Sequence, residues 1–274
     1  MDKITRFGMG QGRLTQSPPG CLQWFPQETW PDEFHIASDL GINYIELIAE
    51  TQHNQNNPIW TNDGIDRIKQ LVNNNNLTLH ALCNDYIVEH TLLDEDVIQQ
   101  NIDLIEQGKK LGVEKYIIPL FESSELTVDN MSNYINPLRR IAISARDNNI
   151  TVCLETILTG EELIELLKLI DIPYVKAVYD TGNRVAFGHN LSKDIRLLGN
   201  YIGHVHIKDK NSGNENVLLG TGLVNFEQVF YALRDINYDG PFTFETTRGS
   251  SPVETAKYNM NLVNFFKRNA ELNV

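Results

Sequence analysis

Residues 151–180 read TVCLETILTGEELIELLKLIDIPYVKAVYD. The stretch opens on a β run, Thr151–Glu155, passes through an amphipathic helical segment, Glu161–Ile170, and returns to a β run, Lys176–Asp180. Two short apolar strands joined through a helix make a parallel βαβ unit, because a parallel pair needs a long crossover. Both β runs end on a carboxylate, Glu155 and Asp180.

The same alternation extends in both directions. Candidate strands lie at Ile4–Met9, Tyr44–Ile48, Leu77–Cys83, Lys115–Leu120, Thr151–Glu155, Lys176–Asp180, Gly203–Ile207 and Pro241–Glu245. Candidate helices lie at Pro31–Leu40, Asp63–Asn73, Asp94–Leu111, Asp129–Asn148, Glu161–Ile170, Lys193–Leu198, Phe226–Asp235 and Pro252–Lys267. Gly41, Gly112 and Gly199 each follow a leucine where a helix C-terminus wants a left-handed residue. Eight strand–helix units favour closure into one (β/α)8 TIM barrel, a single domain over residues 1–274. An open doubly wound sheet is the alternative. Its dinucleotide fingerprint is absent, since Gly8-Met9-Gly10-Gln11-Gly12 lacks the Gly-x-Gly-x-x-Gly spacing.

The net charge of −13 opposes nucleic-acid binding, which rests largely on phosphate neutralisation. No long apolar run marks a signal peptide or a membrane span, so a cytoplasmic protein without a membrane partner is expected. Cys21, Cys83 and Cys153 show neither CxxC spacing nor a disulfide framework.

Residues two apart on a strand share a face. That groups Thr151, Cys153 and Glu155; Lys176, Val178 and Asp180; His204 and His206; Thr243 and Glu245. In each run the acidic or imidazole group is the last inward residue before a loop, the position where α/β barrels carry their chemistry. Glu155, Asp180, His206 and Glu245 are therefore candidate ligands of one divalent cation of the Mn²⁺ type, with Mg²⁺, Co²⁺ and Zn²⁺ as alternatives. The competing reading is a salt-bridge network in which Lys176, Lys208 or Arg248 neutralises the carboxylates. His204 reads as a core histidine one layer down, and His80 as either a substrate contact or a hydrogen-bonded core histidine.

Leu154-Glu155-Thr156, Tyr179-Asp-Thr-Gly-Asn183, His204-Val-His-Ile-Lys-Asp209, Leu219-Gly-Thr-Gly222 and Phe244-Glu-Thr246 resemble the xylose-isomerase-like barrel superfamily, in particular its sugar phosphate isomerase/epimerase branch. The resemblance implies one Mn²⁺-like ion on Glu155, Asp180, His206 and Glu245. It further implies that Glu155 and Glu245 flank the substrate carbon and trade its proton through a metal-stabilised enediolate. The implied partner is a small sugar or sugar phosphate, and a homodimer or homotetramer is usual among such proteins. A metal-dependent dehydratase of a cyclic polyol or keto-acid is the rival on the same barrel, and an abasic-site endonuclease a remote one. The chain departs from ketose 3-epimerases at Asn183, where they carry His, and at Ser212, where they carry Arg, while Glu161 matches their substrate-contacting Glu. Asn183, Lys208, Arg248 and His80 are the candidate substrate-binding residues, with Lys208 and Arg248 suited to a phosphate or carboxylate.

Overall fold

Eight parallel strands close on themselves in sequence order, and the structure that shows this is a computed structural model describing residues 5–272. The strands are β1 (Phe7–Gly10), β2 (Tyr44–Ala49), β3 (Ala81–Asn84), β4 (Lys115–Pro119), β5 (Thr151–Glu155), β6 (Val175–Asp180), β7 (Ile202–Ile207) and β8 (Phe242–Phe244). Closure comes from β1 pairing with β8, Phe7 beside Phe242 and Met9 beside Phe244. The helices are α1 (Trp30–Leu40), α2 (Asn62–Asn74), α3 (Tyr86–Glu89), α4 (Glu95–Leu111), α5 (Met131–Asp147), α6 (Gly160–Ile170), α7 (Thr181–Ala186), α8 (Leu191–Leu198), α9 (Phe226–Asp235) and α10 (Pro252–Leu272). The closed (β/α)8 barrel is the expected fold, and Ile4 of the expected first strand lies outside the described residues.

The period-two pattern separates two cores. Val152 and Leu154 of β5, Tyr116 and Ile118 of β4, and Ala177 and Tyr179 of β6 face the helices in one large apolar layer. Their neighbours Cys153, Ile117 and Val178 join Ala81 and Cys83 in a small cluster inside the barrel. Above that cluster, the next inward positions on β5 and β6 are Glu155 and Asp180. The alternation that buries the barrel thus also aims the carboxylates at its C-terminal mouth.

Element ends follow local chemistry. Gly41 and Gly112 close α1 and α4 in the left-handed conformation, φ 75° and 87°. Gly199 takes φ 49°, ψ −123° and opens a 3-10 turn, so it is not the left-handed cap expected there. β3 starts at Ala81 and not at Leu77, because the Leu77 amide still donates back to Val72 at 2.9 Å as the chain leaves α2. No Gly or Pro interrupts residues 253–272, and α10 runs on to Leu272, beyond the expected Lys267. The short helices α3 and α7 follow the mouths of β3 and β6 and were not expected from periodicity. Among the described residues no helix is long and apolar enough to cross a membrane.

One close approach sets the lower barrel. A Cβ on Gly8 of β1 would overlap the Tyr44 ring and lie 2.6 Å from its hydroxyl, which shares a 2.5 Å hydrogen bond with Thr243 Oγ1. Gly8→Ala should therefore destabilise the protein by about 1–3 kcal/mol, the usual range for overpacking a filled core. Urea unfolding measures this, and an unchanged midpoint would show that the barrel floor has slack.

Candidate metal and active site

The ends of β5, β6, β7 and β8 bring Glu155, Asp180, His206 and Glu245 together, with one ligand atom from each lying within 4.8 Å of all the others. All four are buried. His206 Nδ1 faces the three carboxylates, 3.6 Å from Glu155 Oε2, 3.9 Å from Asp180 Oδ2 and 3.4 Å from Glu245 Oε2.

Each group is held by its far side, which turns one atom toward the centre. Asn183 Nδ2 donates to Glu155 Oε1 at 2.6 Å, and the Asn183 amide caps α7 by donating to Asp180 Oδ1 at 2.6 Å. Gln23 Nε2 donates to Glu245 Oε1 at 2.7 Å, with Arg13 Nη2 at 3.4 Å from the same oxygen. His206 Nε2 donates to Glu46 Oε1 at 3.0 Å, and His204 Nε2 to Glu46 Oε2 at 2.8 Å. A carboxylate only accepts, so both rings carry their proton on Nε2 where they meet Glu46. Burial alone would push Glu46 upward, but the charges and hydrogen bonds of His206 and His204 outweigh it and hold the carboxyl well below the usual range.

The centre remains short of positive charge and of hydrogen bonds. Asp180 Oδ2 and His206 Nδ1 are buried without a hydrogen-bond partner. Lys208 Nζ lies 2.7 Å from Glu245 Oε2 and 3.3 Å from Asp180 Oδ2, so the competing salt-bridge reading is realised in part by this one lysine. Burial raises Asp180 to about 6; Lys208 opposes the rise, while Glu155 and Glu245 add to it. For His206 burial lowers the affinity for a proton, but Glu46, Glu155 and Glu245 override it and raise it well above the ordinary value. An imidazole nitrogen facing three carboxylates requires a cation, either its own proton or a metal. Lys208 leaves that nitrogen unpartnered. The donor set, three carboxylate oxygens and one imidazole nitrogen facing one point, fits a divalent ion once Lys208 withdraws from Glu245 Oε2. A second group, Glu46, His204 and His206, is close enough to ligate, but its facing atoms are already engaged with each other.

A cavity of about 410 Å³ opens above this centre and is lined by Glu155, His206 and Glu245. Asn183 and Lys208, two of the candidate substrate-binding residues, also line it. His80 does not. It precedes β3 at the opposite end of the barrel, stacks on His204 at 5.7 Å, and places Nδ1 3.0 Å from Glu114 Oε2. It lines a separate cavity with Lys115, Thr151 and Ile202, all at or near strand starts. Arg248 does not reach the mouth cavity either. Its Nε donates to Gly12 O at 2.6 Å and its Nη1 to Cys21 O and Leu22 O at 3.1 and 3.0 Å. Its guanidinium clamps the loop that carries Gln23, so it acts on Glu245 at one remove. Lys176 bonds Asn200 O at 2.9 Å, away from the carboxylates, and Glu161 is exposed on α6.

Glu46, Asp85, Arg13 and Gln23 were not foreseen. Glu46 had a signal, because it shares the inward face of β2 with Tyr44 and Ile48. Asp85, just past β3, lines the cavity; burial first, then Glu245 and Glu155, push it up to about 7. Arg13 and Gln23 sit in an irregular loop with no period to read.

Comparison with known proteins places this geometry. A family model described as xylose isomerase-like TIM barrel matches residues 34–267. The chain is 31% identical over 126 residues to an L-ribulose 3-epimerase of Methylomonas sp. (strain DH-1), a match covering 43% of this chain and 43% of that one. It is 22% identical over 254 residues to a putative L-ribulose-5-phosphate 3-epimerase of Haemophilus influenzae, covering 82% of this chain and 87% of the relative. Both relatives are named as sugar epimerases, which are isomerases. The crystal structure of a D-allulose 3-epimerase from Methylomonas sp. superposes with a TM-score of 0.73 at 21% identity, covering 96% of this chain and 98% of that one. With a closed parallel barrel, four metal-competent side chains at its mouth and a family model spanning most of its length, the chain belongs to the xylose isomerase-like TIM barrel family.

Proposed function

We propose that the protein is a divalent-metal-dependent epimerase or isomerase of a sugar or sugar phosphate, with Glu155 and Glu245 as the proton-transfer pair. The observation that carries the reading is the convergence of Glu155 Oε2 and Glu245 Oε2 on one point with His206 Nδ1, under an open cavity of sugar size. Glu155, Asp180, His206 and Glu245 would hold the ion, Mn²⁺ by their donor chemistry. When bound, it supplies Lewis-acid stabilisation of the negative charge that develops as a carbon beside a carbonyl loses its proton. The chain's own residues do the rest. Burial would push the Glu245 carboxyl up, but Lys208, then His206 and Arg13, outweigh it and keep Glu245 ionised, ready to accept a proton. Asn183 holds Glu155 by one oxygen and leaves the other free to give or take a proton. Return of the proton to the opposite face inverts the centre, and return to the neighbouring carbon isomerises the sugar. The sugar epimerases among the relatives support this reading.

Metal binding should be visible in stability. Added Mn²⁺ at one hundred times its Kd should stabilise the fold by about 2.7 kcal/mol. Asp180→Asn and His206→Ala should each remove most of the rise in melting temperature. Glu46→Gln should fold but bind Mn²⁺ about 10–100-fold more weakly, because the carboxylate that orients the imidazole is lost. Affinity should fall as the pH is lowered, since His206 must give up the Nδ1 proton that the carboxylates favour. An equal thermal shift in both ligand variants would place the metal elsewhere.

The chemistry is tested by solvent deuterium incorporation into a panel of ketoses and ketose phosphates with Mn²⁺. Glu155→Gln and Glu245→Gln preserve shape and one ligating oxygen, and each should slow exchange by about 10²–10⁴-fold while metal still binds. For an epimerase the two variants should differ in which epimer loses exchange first. Near-normal exchange in both would rule out the two-glutamate mechanism.

A further inference from the structure

His204, His206, Lys208 and Lys210 follow one another at two-residue steps along β7 and its extension. Lys208 is absorbed by Glu245 and Asp180. Lys210 lies one step further out, roughly 6–7 Å along an extended chain. It lines the mouth cavity and is half-buried. Its ammonium donates to Asn214 Oδ1 at 2.8 Å, and it forms no salt bridge among the described residues. In a chain with 36 acidic residues, a half-buried lysine left to a neutral amide is unusual company for a cation.

The loop that presents Lys210 is built in place. Asp209 is fully buried and its carboxylate accepts from the amides of Lys210, Gly220, Gly222 and Val224 at 2.9–3.0 Å. Lys210 pairs with Asn216 across a hairpin closed by Asn211 N to Glu215 O at 3.0 Å. Asn216 also lines the cavity, and its Oδ1 is buried without a partner. The acids that line the cavity without a cation partner lie on other strand ends. Asp85 follows β3, which stands across the barrel from β7, and Glu122 and Glu125 follow β4. The mouth is therefore polar in one direction, cationic over β7 and acidic opposite.

We infer that Lys210 is a specificity-determining residue that binds an anionic group on the substrate, a phosphate ester or terminal carboxylate, under the 210–216 hairpin. This rests on the proposed sugar chemistry and adds the substrate's charge and its direction of binding. With the reacting carbons at Glu155 and Glu245, the anionic end points toward β7, and Glu122 and Glu125 after β4 repel the reverse orientation.

The test uses the Mn²⁺-loaded full chain and four neutral–charged pairs: each enantiomer of ribulose against its 5-phosphate, and fructose against fructose 6-phosphate and against fructuronate. Deuterium incorporation gives kcat/KM for each. The wild type should prefer the charged member of at least one pair. Lys210→Gln should cut that preference about tenfold to a hundredfold, as expected for loss of a charge-assisted hydrogen bond, mainly through KM. Lys210→Arg should restore most of it. Preference for the phosphate esters or for fructuronate tells which anion is bound. Exchange of neutral ketoses with no preference for any charged partner overturns the anion subsite alone, as does a preference that survives Lys210→Gln. Exchange of no ketose at all overturns the sugar chemistry, and this inference with it.

Discussion

Three buried carboxylates facing one imidazole nitrogen set the terms for the upper half of this barrel. Like charges so close in a low-dielectric site repel strongly, and a buried carboxylate without compensation either binds a proton or recruits a cation. The pull toward protonation is visible at Asp180 and at His206, each moved upward from its ordinary value. Lys208 meets part of the demand, reaching two carboxylates, but leaves His206 Nδ1 and Asp180 Oδ2 without hydrogen bonds. A divalent ion answers what the lysine leaves.

The surrounding residues make sense as supports for that centre. Glu46 locks the tautomer of His206 from below, Asn183 orients Glu155 and Asp180 together, and Gln23 with Arg13 fixes Glu245. Arg248 braces the loop from which Gln23 reaches in. Such outer contacts set which atom of each ligand faces the centre, and so its readiness to bind or to move a proton. The three strand-end carboxylates come from β5, β6 and just past β8, and the β6–β7 and β7–β8 ladders hold them in register, with Asp180 beside His206 and the Glu245 amide donating to Ile207 O at 3.2 Å.

The fold and the four central residues were legible because both rest on periodicity. Alternation along β5 and β6 puts Glu155 and Asp180 on the same face as Cys153 and Val178, and packing follows that rule. Glu46 obeyed the same rule on β2 but stood in mid-strand, where a lone acid gives no hint that two histidines sit across the barrel. Residues whose roles depend on loops escaped. Arg248 looked free to bind an anion, and its carbonyl partners at Gly12, Cys21 and Leu22 are more than two hundred positions away in sequence. The sequence alone leaves His80 between a substrate contact and a hydrogen-bonded core histidine. The strand begins after it, so it lies at the barrel's other end. Lys210 was invisible as a subsite because its exposure and its missing partner are properties of the hairpin.

The geometry calls for one ion at the meeting point of Glu155, Asp180, His206 and Glu245. Anomalous diffraction at the manganese edge, from crystals grown with Mn²⁺, tests it most directly. One strong peak is expected at roughly 2.0–2.6 Å from His206 Nδ1 and from a carboxylate oxygen of each of the three acids, with Lys208 drawn back. A peak bounded instead by Glu46, His204 and His206, or none inside the barrel mouth, would contradict it.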